Sequence, residues 1–482
     1  MRFSIHLIHS LNLVVESVKE VSPSLIRNVY NHANGDFFRR LLLIAIPITL
    51  QSILLSSKSL IDVFMLGQLS EADIAAVGVA SRAIFFTTII LTGVATTGAL
   101  LAAQHWGAKD NKGLRETTAL TWLTSTIGAL IIIAILQFSA EMVMGLASSD
   151  FLVIGLGAEY IRITSWSMLA IAFSASLGAS FRSIQKPGVS TFFSSIGIVS
   201  NILLNWVLIF GHLGFPSLGI KGAAIATVIS SLIEITLFYG YLVYQKHLLR
   251  FTVTDIIASA SLDKITPFIR LAIPTTTNFL LWAGGLFAYT AIMGQTGTEG
   301  LAAFAVVTPI EVVSLSFLMG IANASGVLVG NHIGAKEYDK VYYQAILMMM
   351  VGFTVTLMVS IALYFSKEGI LDLFTALTVD TRDLADTFLS ILCVGIMLRS
   401  IPTTLVVGIL RAGGDVKFCL YQDMLTQWFF GIPIAAFGAI YFGYSAEIVY
   451  CLFFLETLFK WFACIYRLKS KKWINNLVEK ET

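Results

Sequence analysis

Charged side chains make up only 12% of the 482 residues, against roughly a quarter in soluble domains. A water-soluble fold for the whole chain is thereby excluded. Cysteine is nearly absent: Cys393, Cys419, Cys451 and Cys464 show no metal-ligand spacing and read as small core residues, without a disulfide framework or a thiolate metal centre. No zinc-binding helix motif, serine-based dyad or acid pair at hydrolase spacing occurs, so neither an enzyme nor a cofactor is expected. A net charge of +2 carries no nucleic-acid signal. Residues 1–36 lack a signal-peptide pattern, because the stretch Ile5 to Val15 is broken by His6, His9, Ser10 and Asn12. Too short to span a bilayer, that stretch reads as an interfacial amphipathic helix or a loose tail.

What is present is apolar. Hydrophobic residues supply 56% of the chain, and mean hydropathy is +0.82. Runs of about 20 such residues, enough to cross roughly 30 Å of hydrocarbon, fall at about 41–66, 75–104, 117–137, 152–181, 188–211 and 222–245. A second set follows at about 268–293, 301–331, 342–365, 385–410, 418–442 and 447–466. The expected fold is all-α and integral to the membrane, with twelve transmembrane helices.

The two sets are copies of each other. Gly67-Gln68, Ala75-Ala76, Gly93, His105 and Gly107-Ala108-Lys109 recur as Gly294-Gln295, Ala302-Ala303, Gly320, His332 and Gly334-Ala335-Lys336, at a constant offset of 227 (294 less 67). The same offset carries Ala45-Ile46-Pro47 onto Ala272-Ile273-Pro274. Because six helices separate the copies, both enter the membrane in the same sense, related by a pseudo-twofold along its normal. This is the usual architecture of a transporter with a site between or within its halves. The expected division is an N-terminal segment (1–37), a first lobe (38–245), a linker (246–266), a second lobe (267–466) and a basic tail (467–482). Arg39, Arg40, Lys109, Lys112, Arg182, Lys186, Lys336, Lys340, Arg411 and Lys417 crowd one set of loops, while Glu71, Asp73, Glu141, Asp150, Glu299 and Asp372 mark the other. The positive-inside rule then places both termini in the cytoplasm.

Intramembrane polar residues locate the candidate site. An aspartate in a spanning helix costs roughly 2.5–3.5 kcal/mol on insertion scales, and Asp62 is the clearest case. At the 227 offset it falls on Tyr289, so the second lobe is not expected to repeat its task. Asn201 and Asn205, spaced i, i+4, offer an amide pair on one helix face; their counterparts Phe430 and Ile434 are apolar, so the network is expected in the first lobe only. Thr227 fits either a completion of that network or a bond to its own helix backbone. Lys58, four residues before Asp62, fits either a pair that favours the ionised carboxylate or a place in a cavity. Glu311 fits three roles equally: lining a cleft, binding a cation, or pairing with Arg399. Asp423 and Arg411, near a boundary, read as structural. Pro47 removes a backbone hydrogen bond inside the first helix and reads as a hinge as readily as packing.

These residues resemble the multidrug and toxic compound extrusion (MATE) family. The likeness rests on Pro47, Asp62-x-x-Met65-x-Gly67, Leu69, Ala75-Ala76-Val77-Gly78, Arg182, Asn201-x-x-x-Asn205 and Leu208-Ile209-Phe210-Gly211 in the first lobe. Ile310-Glu311, Gly320, Gly330, Gly334-Ala335 and Leu410-Arg411-Ala412-Gly413 extend it through the second. The resemblance covers about residues 38–466. It implies alternating access and export of amphipathic, mostly cationic organic compounds in exchange for H⁺ or Na⁺. Asp62 occupies the position of the family's first-helix coupling aspartate. Asn205 stands where the proton-coupled archaeal branch has an aspartate. Trp282 and Ser400 stand where the sodium-coupled branch has a glutamate and an aspartate, which puts a second-lobe sodium site in doubt. Lys58 is outside the family pattern.

The reading is therefore an inner-membrane multidrug antiporter, monomeric and surrounded by lipid, with H⁺ carried by Asp62. A Na⁺-coupled exporter and a flippase of lipid-linked precursors are the alternatives. Phe64, Met65, Trp282, Phe287 and Tyr289 are candidate aromatic and thioether surface for flat cations.

Overall fold

The computed structural model describes residues 23–372, 374 and 377–479, and the stretch Ile5 to Val15 lies outside them. Helices account for the described elements in this order: α1 (Pro23–His32), α2 (Gly35–Leu66), α3 (Glu71–Gly107), α4 (Asn111–Gly145), α5 (Phe151–Thr164), α6 (Ser167–Ser183), α7 (Pro187–Phe210) and α8 (Gly219–Tyr244). After α9 (Val253–Ser259), the second set comprises α10 (Leu262–Gly294), α11 (Thr298–Gly334), α12 (Tyr338–Leu371), α13 (Val379–Leu410), α14 (Val416–Tyr441) and α15 (Ala446–Ser470). Eleven are long and apolar enough to cross a membrane singly, and α5 with α6 forms a twelfth span bent by 46°. Gln137 explains the bend, because its amide donates to the Arg162 carbonyl (2.7 Å) and to Ser165 Oγ (3.0 Å) where the helix ladder is interrupted.

Several helices run past the apolar segments that reveal them. α2 begins at Gly35 rather than 38, with Asn34 Oδ1 accepting from Phe37 N (2.8 Å), because Asp36, Arg39 and Arg40 lie at the wetted end. The linker is partly helical: Thr252 and Asp255 form a capping box that starts α9, and Lys264 bonds Glu116 (2.7 Å) to tie the linker to α4. α10 begins at Leu262 and α15 continues to Ser470, so the second lobe exceeds its expected bounds at both ends.

Burial crosses the lobes as well as following them: Leu41, Ile44 and Ile48 of α2 pack in one core with Ile321 of α11, Met348 of α12 and Leu405 of α13. One core joins α3, α4, α5, α6, α7 and α8 around Leu91, Ile161 and Met168, and another joins α10 to α15 around Phe388, Leu392 and Val449. Outward faces remain apolar, with Leu43 and Ile46 on α2 and Ile131, Ile135 and Phe138 on α4 all exposed, as contact with lipid requires. Cys393, Cys419 and Cys464 are buried as expected, whereas Cys451 is exposed.

The two copies meet at the face that carries both ends of the described chain, and there the repeat is visible in space. His105 pairs with Asp110 (2.9 Å) and His332 with Glu337 (2.7 Å), again 227 residues apart. Hydrogen bonds from Lys340 and from His332 hold the Glu337 carboxyl below the usual carboxylate range. Gly107 of α3 packs on the backbone carbonyl of Asn331, and Gly334 of α11 packs on that of Gln104, so a Cβ at either position would overlap backbone. Asn331 Nδ2 donates across the crossing to the Ala103 carbonyl (2.9 Å). The C-terminal segment closes over it, with Leu477 N donating to Gln104 Oε1 (2.7 Å) and Trp473 fully buried. Gly334→Ala is expected to lower stability by the upper part of the roughly 1–3 kcal/mol typical of overpacking. A thermal unfolding series of the detergent-solubilised variant checks this.

Candidate functional site

Two polar sites lie inside the bundle, one in each lobe. In the first, Asp62 near the end of α2 accepts from Asn205 Nδ2 on α7 (2.7 Å) and pairs with Lys58 Nζ one turn earlier (2.8 Å). Both charged side chains are about a quarter exposed, at 24% and 25%. The i, i+4 spacing of Asn201 and Asn205 brings the two amides together: Asn205 Nδ2 also donates to Asn201 Oδ1 (3.3 Å). Asn201 Nδ2 in turn reaches Thr227 Oγ1 (3.4 Å) and Ser230 Oγ (3.3 Å) on α8. Thr227 thus serves both roles open to it, since its hydroxyl also donates to the Ala223 carbonyl (3.0 Å). Asn205 Oδ1 is buried without a hydrogen-bond partner. A free acceptor beside a carboxylate suits a site that takes up a small cation or a proton donor.

The hinge candidate Pro47 lies inside a helix that continues through it, and its carbonyl accepts from Thr191 Oγ1 on α7 (3.1 Å). This bond couples α2 to the helix bearing Asn201 and Asn205.

The second lobe carries a polar network of its own, where the asparagine pair of the first lobe is not repeated. A cavity of about 260 Å³ opens there, lined by Trp282, Tyr289, Glu311, Arg399, Asp423, Glu456 and Lys460 among others. Lys460 Nζ sits between Asp423 Oδ1 and Glu456 Oε1, at 3.1 Å from each. Tyr289 donates to Glu456 Oε2 (2.6 Å), Asn278 donates to Asp423 Oδ2 (2.9 Å), and Arg411 donates to Asn278 Oδ1 (2.8 Å). Asp423 and Arg411 therefore belong to a polar chain that reaches the cavity. Of the roles open to Glu311, the structure shows two: it lines this cavity and it pairs with Arg399, whose guanidinium also lies over Phe454 at 4.7 Å. Tyr289 and Glu311 belong to this cavity and not to the Asp62 cluster. Three carboxylates and two cations line it, with the Arg411 guanidinium behind Asp423.

Comparing the lobes by the repeat offset hid this network, since its groups come from α10, α11, α13, α14 and α15 and differ in chemistry from the first-lobe side chains they replace, as Tyr289 does from Asp62. The sequence signal that could have found it is the i, i+4 pair Glu456 and Lys460 inside the last span. Of the aromatic candidates, Trp282 and Tyr289 line the cavity. Phe287 instead stacks on Phe86 of the other lobe (5.0 Å), and Phe64 is exposed. Segments Thr404–Leu410, Met424–Gly431 and Phe437–Tyr441 of α13 and α14 are π-helical, and the first two carry Val406, Val407 and Gln427 to the cavity wall.

Twelve spans in two like-oriented lobes, each enclosing a polar site, define a helical membrane transporter. The MatE family model matches residues 47–207 and 274–437, and the chain belongs to that family of transporters. It is a multi-pass membrane protein and not an enzyme. Among curated relatives, the uncharacterized transporter YisQ of Bacillus subtilis is 23% identical over 420 residues, covering 86% of this chain and 90% of its own. The multidrug resistance protein NorM of Photobacterium profundum is 26% identical, over 82% and 86%. Among solved structures, a MATE protein in complex with MaL6 superposes with a TM-score of 0.82 at 18% identity, covering 90% of this chain and 96% of that one. A MOP superfamily transporter from Pyrococcus furiosus gives 0.81, also at 18% identity and over 90% and 96%. These likenesses show the twelve-helix fold.

Proposed function

We propose that the chain is a multidrug efflux antiporter that exports amphipathic organic cations in exchange for protons bound at Asp62. The observation that carries this reading is the intramembrane Asp62 carboxylate held by Asn205 and Lys58. Protonation removes the charge, frees Lys58 and weakens the bond from Asn205, so α2 can rearrange about Pro47 and drive an alternating-access cycle. Proton release on the opposite side resets it. The protein sits in the inner membrane with both termini cytoplasmic, which the basic loops on the terminal face support.

Protons are favoured over sodium because the second-lobe carboxylates already have cation partners: Glu311 has Arg399, while Asp423 and Glu456 share Lys460. The aromatic cavity there, lined by Trp282 and Tyr289, suits flat organic cations. Its lining cations Arg399 and Lys460 are already paired with carboxylates, so the flippase reading, which needs cations to hold pyrophosphate, loses support. The test is efflux of an organic cation from proteoliposomes given ΔpH or ΔNa⁺ in turn. Acceleration by ΔpH alone supports the reading; acceleration by ΔNa⁺ alone overturns it.

Lys58 tunes this site. Removing its ammonium leaves the Asp62 carboxylate without its ion-pair partner, so Lys58→Met is expected to displace the dependence of efflux on pH. Efflux rates measured across pH for both proteins check it, and coincident profiles would show that the pair does not bear on proton uptake.

A further inference from the structure

Glu234, on α8, is an intramembrane acid that the Asp62 site does not use. It lies ten residues before the end of α8 at Tyr244, about 15 Å of helix from the terminal face. Ser174 Oγ on α6 and Ser194 Oγ on α7 both donate to its Oε1, the latter at 3.1 Å. Among the described residues it has no ion pair. Of 17 ion pairs in the structure, none includes it, in contrast to Asp62, Glu311, Asp423 and Glu456. Gly197 makes room for it, because a Cβ there would lie 2.6 Å from Glu234 Oε2.

The charged neighbours are few. α7 carries no charged residue. On α6, Arg182 lies eight residues beyond Ser174, about 12 Å further along the helix. Glu159 on α5 pairs with Lys221 at the far end of α8 (2.7 Å), and Arg162 pairs with Glu141. On α2 the nearest link is neutral, Gln51 Nε2 donating to Ser194 Oγ (3.1 Å). Tyr239 and Tyr241 are the nearest titratable groups in the sequence of α8 itself.

An unpaired carboxylate in this position is costly, whereas a protonated carboxyl is tolerated. Glu234 also ends a polar stripe along the α7–α8 seam. From Asp62 hydrogen bonds run through Asn205 and Asn201 to Thr227 and Ser230, and Glu234, held by Ser194, lies one turn beyond Ser230 on α8. Between Ser194 and Asn205 it spans eleven residues of α7, roughly 16 Å. The unpartnered Asn205 Oδ1 lies on it.

We propose that Glu234 is a second proton-binding carboxyl of the first lobe, in series with Asp62 and nearer the terminal face. It accepts a proton that leaves the Asp62 carboxyl and releases it toward that face, which resets Asp62 as a carboxylate. Ser194 ties the occupancy of Glu234 to α2 through Gln51. The proposal rests on the proton-coupled reading, and its test separates the two.

The experiment compares wild type, Glu234→Gln and Glu234→Asp in proteoliposomes under ΔpH, with folding followed by thermal unfolding. In parallel, infrared difference spectra record titrating carboxyl bands in the purified proteins. Glu234→Gln is expected to lose ΔpH-driven efflux by roughly a hundredfold, the lower end of what a positioned proton-transfer group supplies. Binding of the organic cation should persist, one carboxyl band should vanish, and Glu234→Asp should recover part of the rate with a displaced pH profile. Wild-type rates and an unmoved profile in Glu234→Gln would overturn the proposal, as would a sodium requirement abolished by this substitution. Indifference of wild type to ΔpH would defeat the wider proton-coupled reading; the infrared band would then still decide whether Glu234 carries a proton.

Discussion

Asp62→Asn is expected to reduce gradient-driven efflux to the background of protein-free vesicles while the protein still folds and inserts. The amide oxygen can still accept from Asn205 Nδ2, now 2.7 Å from the carboxylate, and a neutral group lowers the cost of burial. Lys58 loses its partner but is 24% exposed and can reach water. What disappears is the one carboxylate of the Asp62, Asn205, Asn201 and Thr227 cluster. Measured as ΔpH-driven efflux per mole of reconstituted protein, retained transport would remove Asp62 from the coupling mechanism. Tyr289→Phe, the repeat-equivalent change, is not a silent control, because its hydroxyl donates to Glu456 at 2.6 Å.

Lys460→Met is expected to destabilise the protein far more than Lys58→Met, although both remove one lysine from an i, i+4 pair. Lys460, Asp423 and Glu456 have side chains only 15%, 15% and 8% exposed, so the substitution leaves two buried carboxylates without their cation. Breaking a buried pair in this way costs about 3–5 kcal/mol. Asp423 and Glu456 would then lack their shared cation, and neutralising one carboxylate with Glu456→Gln in the same protein should restore part of the loss. Thermal unfolding of the single and double variants in detergent measures both effects. Equal small shifts for Lys460→Met and Lys58→Met would mean that water reaches the second-lobe triad as freely as it reaches Lys58.

The repeat, the span count and the first-lobe cluster were readable because each rests on local spacing. Offset 227 predicts the paired Gly-Ala-Lys loops, and the structure turns it into a reciprocal crossing of Gly107 and Gly334. The Asn201 and Asn205 spacing predicts one helix face, and Asp62 meets it. The second-lobe cavity was not readable in this way. Its groups are brought together by tertiary packing of helices up to 182 residues apart in sequence, from Asn278 to Lys460, and the one local mark of the meeting is the i, i+4 pair Glu456 and Lys460. The repeat drew attention to the position of Asp62, and Tyr289 there gave no sign of the acid it would meet. Glu234 carried the same signal as Asp62, an acid inside an apolar span, but its serine partners become visible only when α6, α7 and α8 are packed.

Hinge and bend positions divide along the same line. Pro47 is marked in sequence by its chemistry, whereas the 46° bend between α5 and α6 depends on Gln137 from a neighbouring helix. Sequence shows where a helix lacks a donor, and packing shows where another side chain replaces one.

The central claim is that one substrate cation leaves in exchange for protons bound at Asp62. Proteoliposomes loaded with a pH-sensitive dye and given an organic cation on one side test it most directly. The account predicts substrate-evoked proton movement in the opposite direction, saturating with substrate, insensitive to sodium and absent in Asp62→Asn. Substrate flux without proton movement in wild type, or equal proton movement in Asp62→Asn, would contradict it.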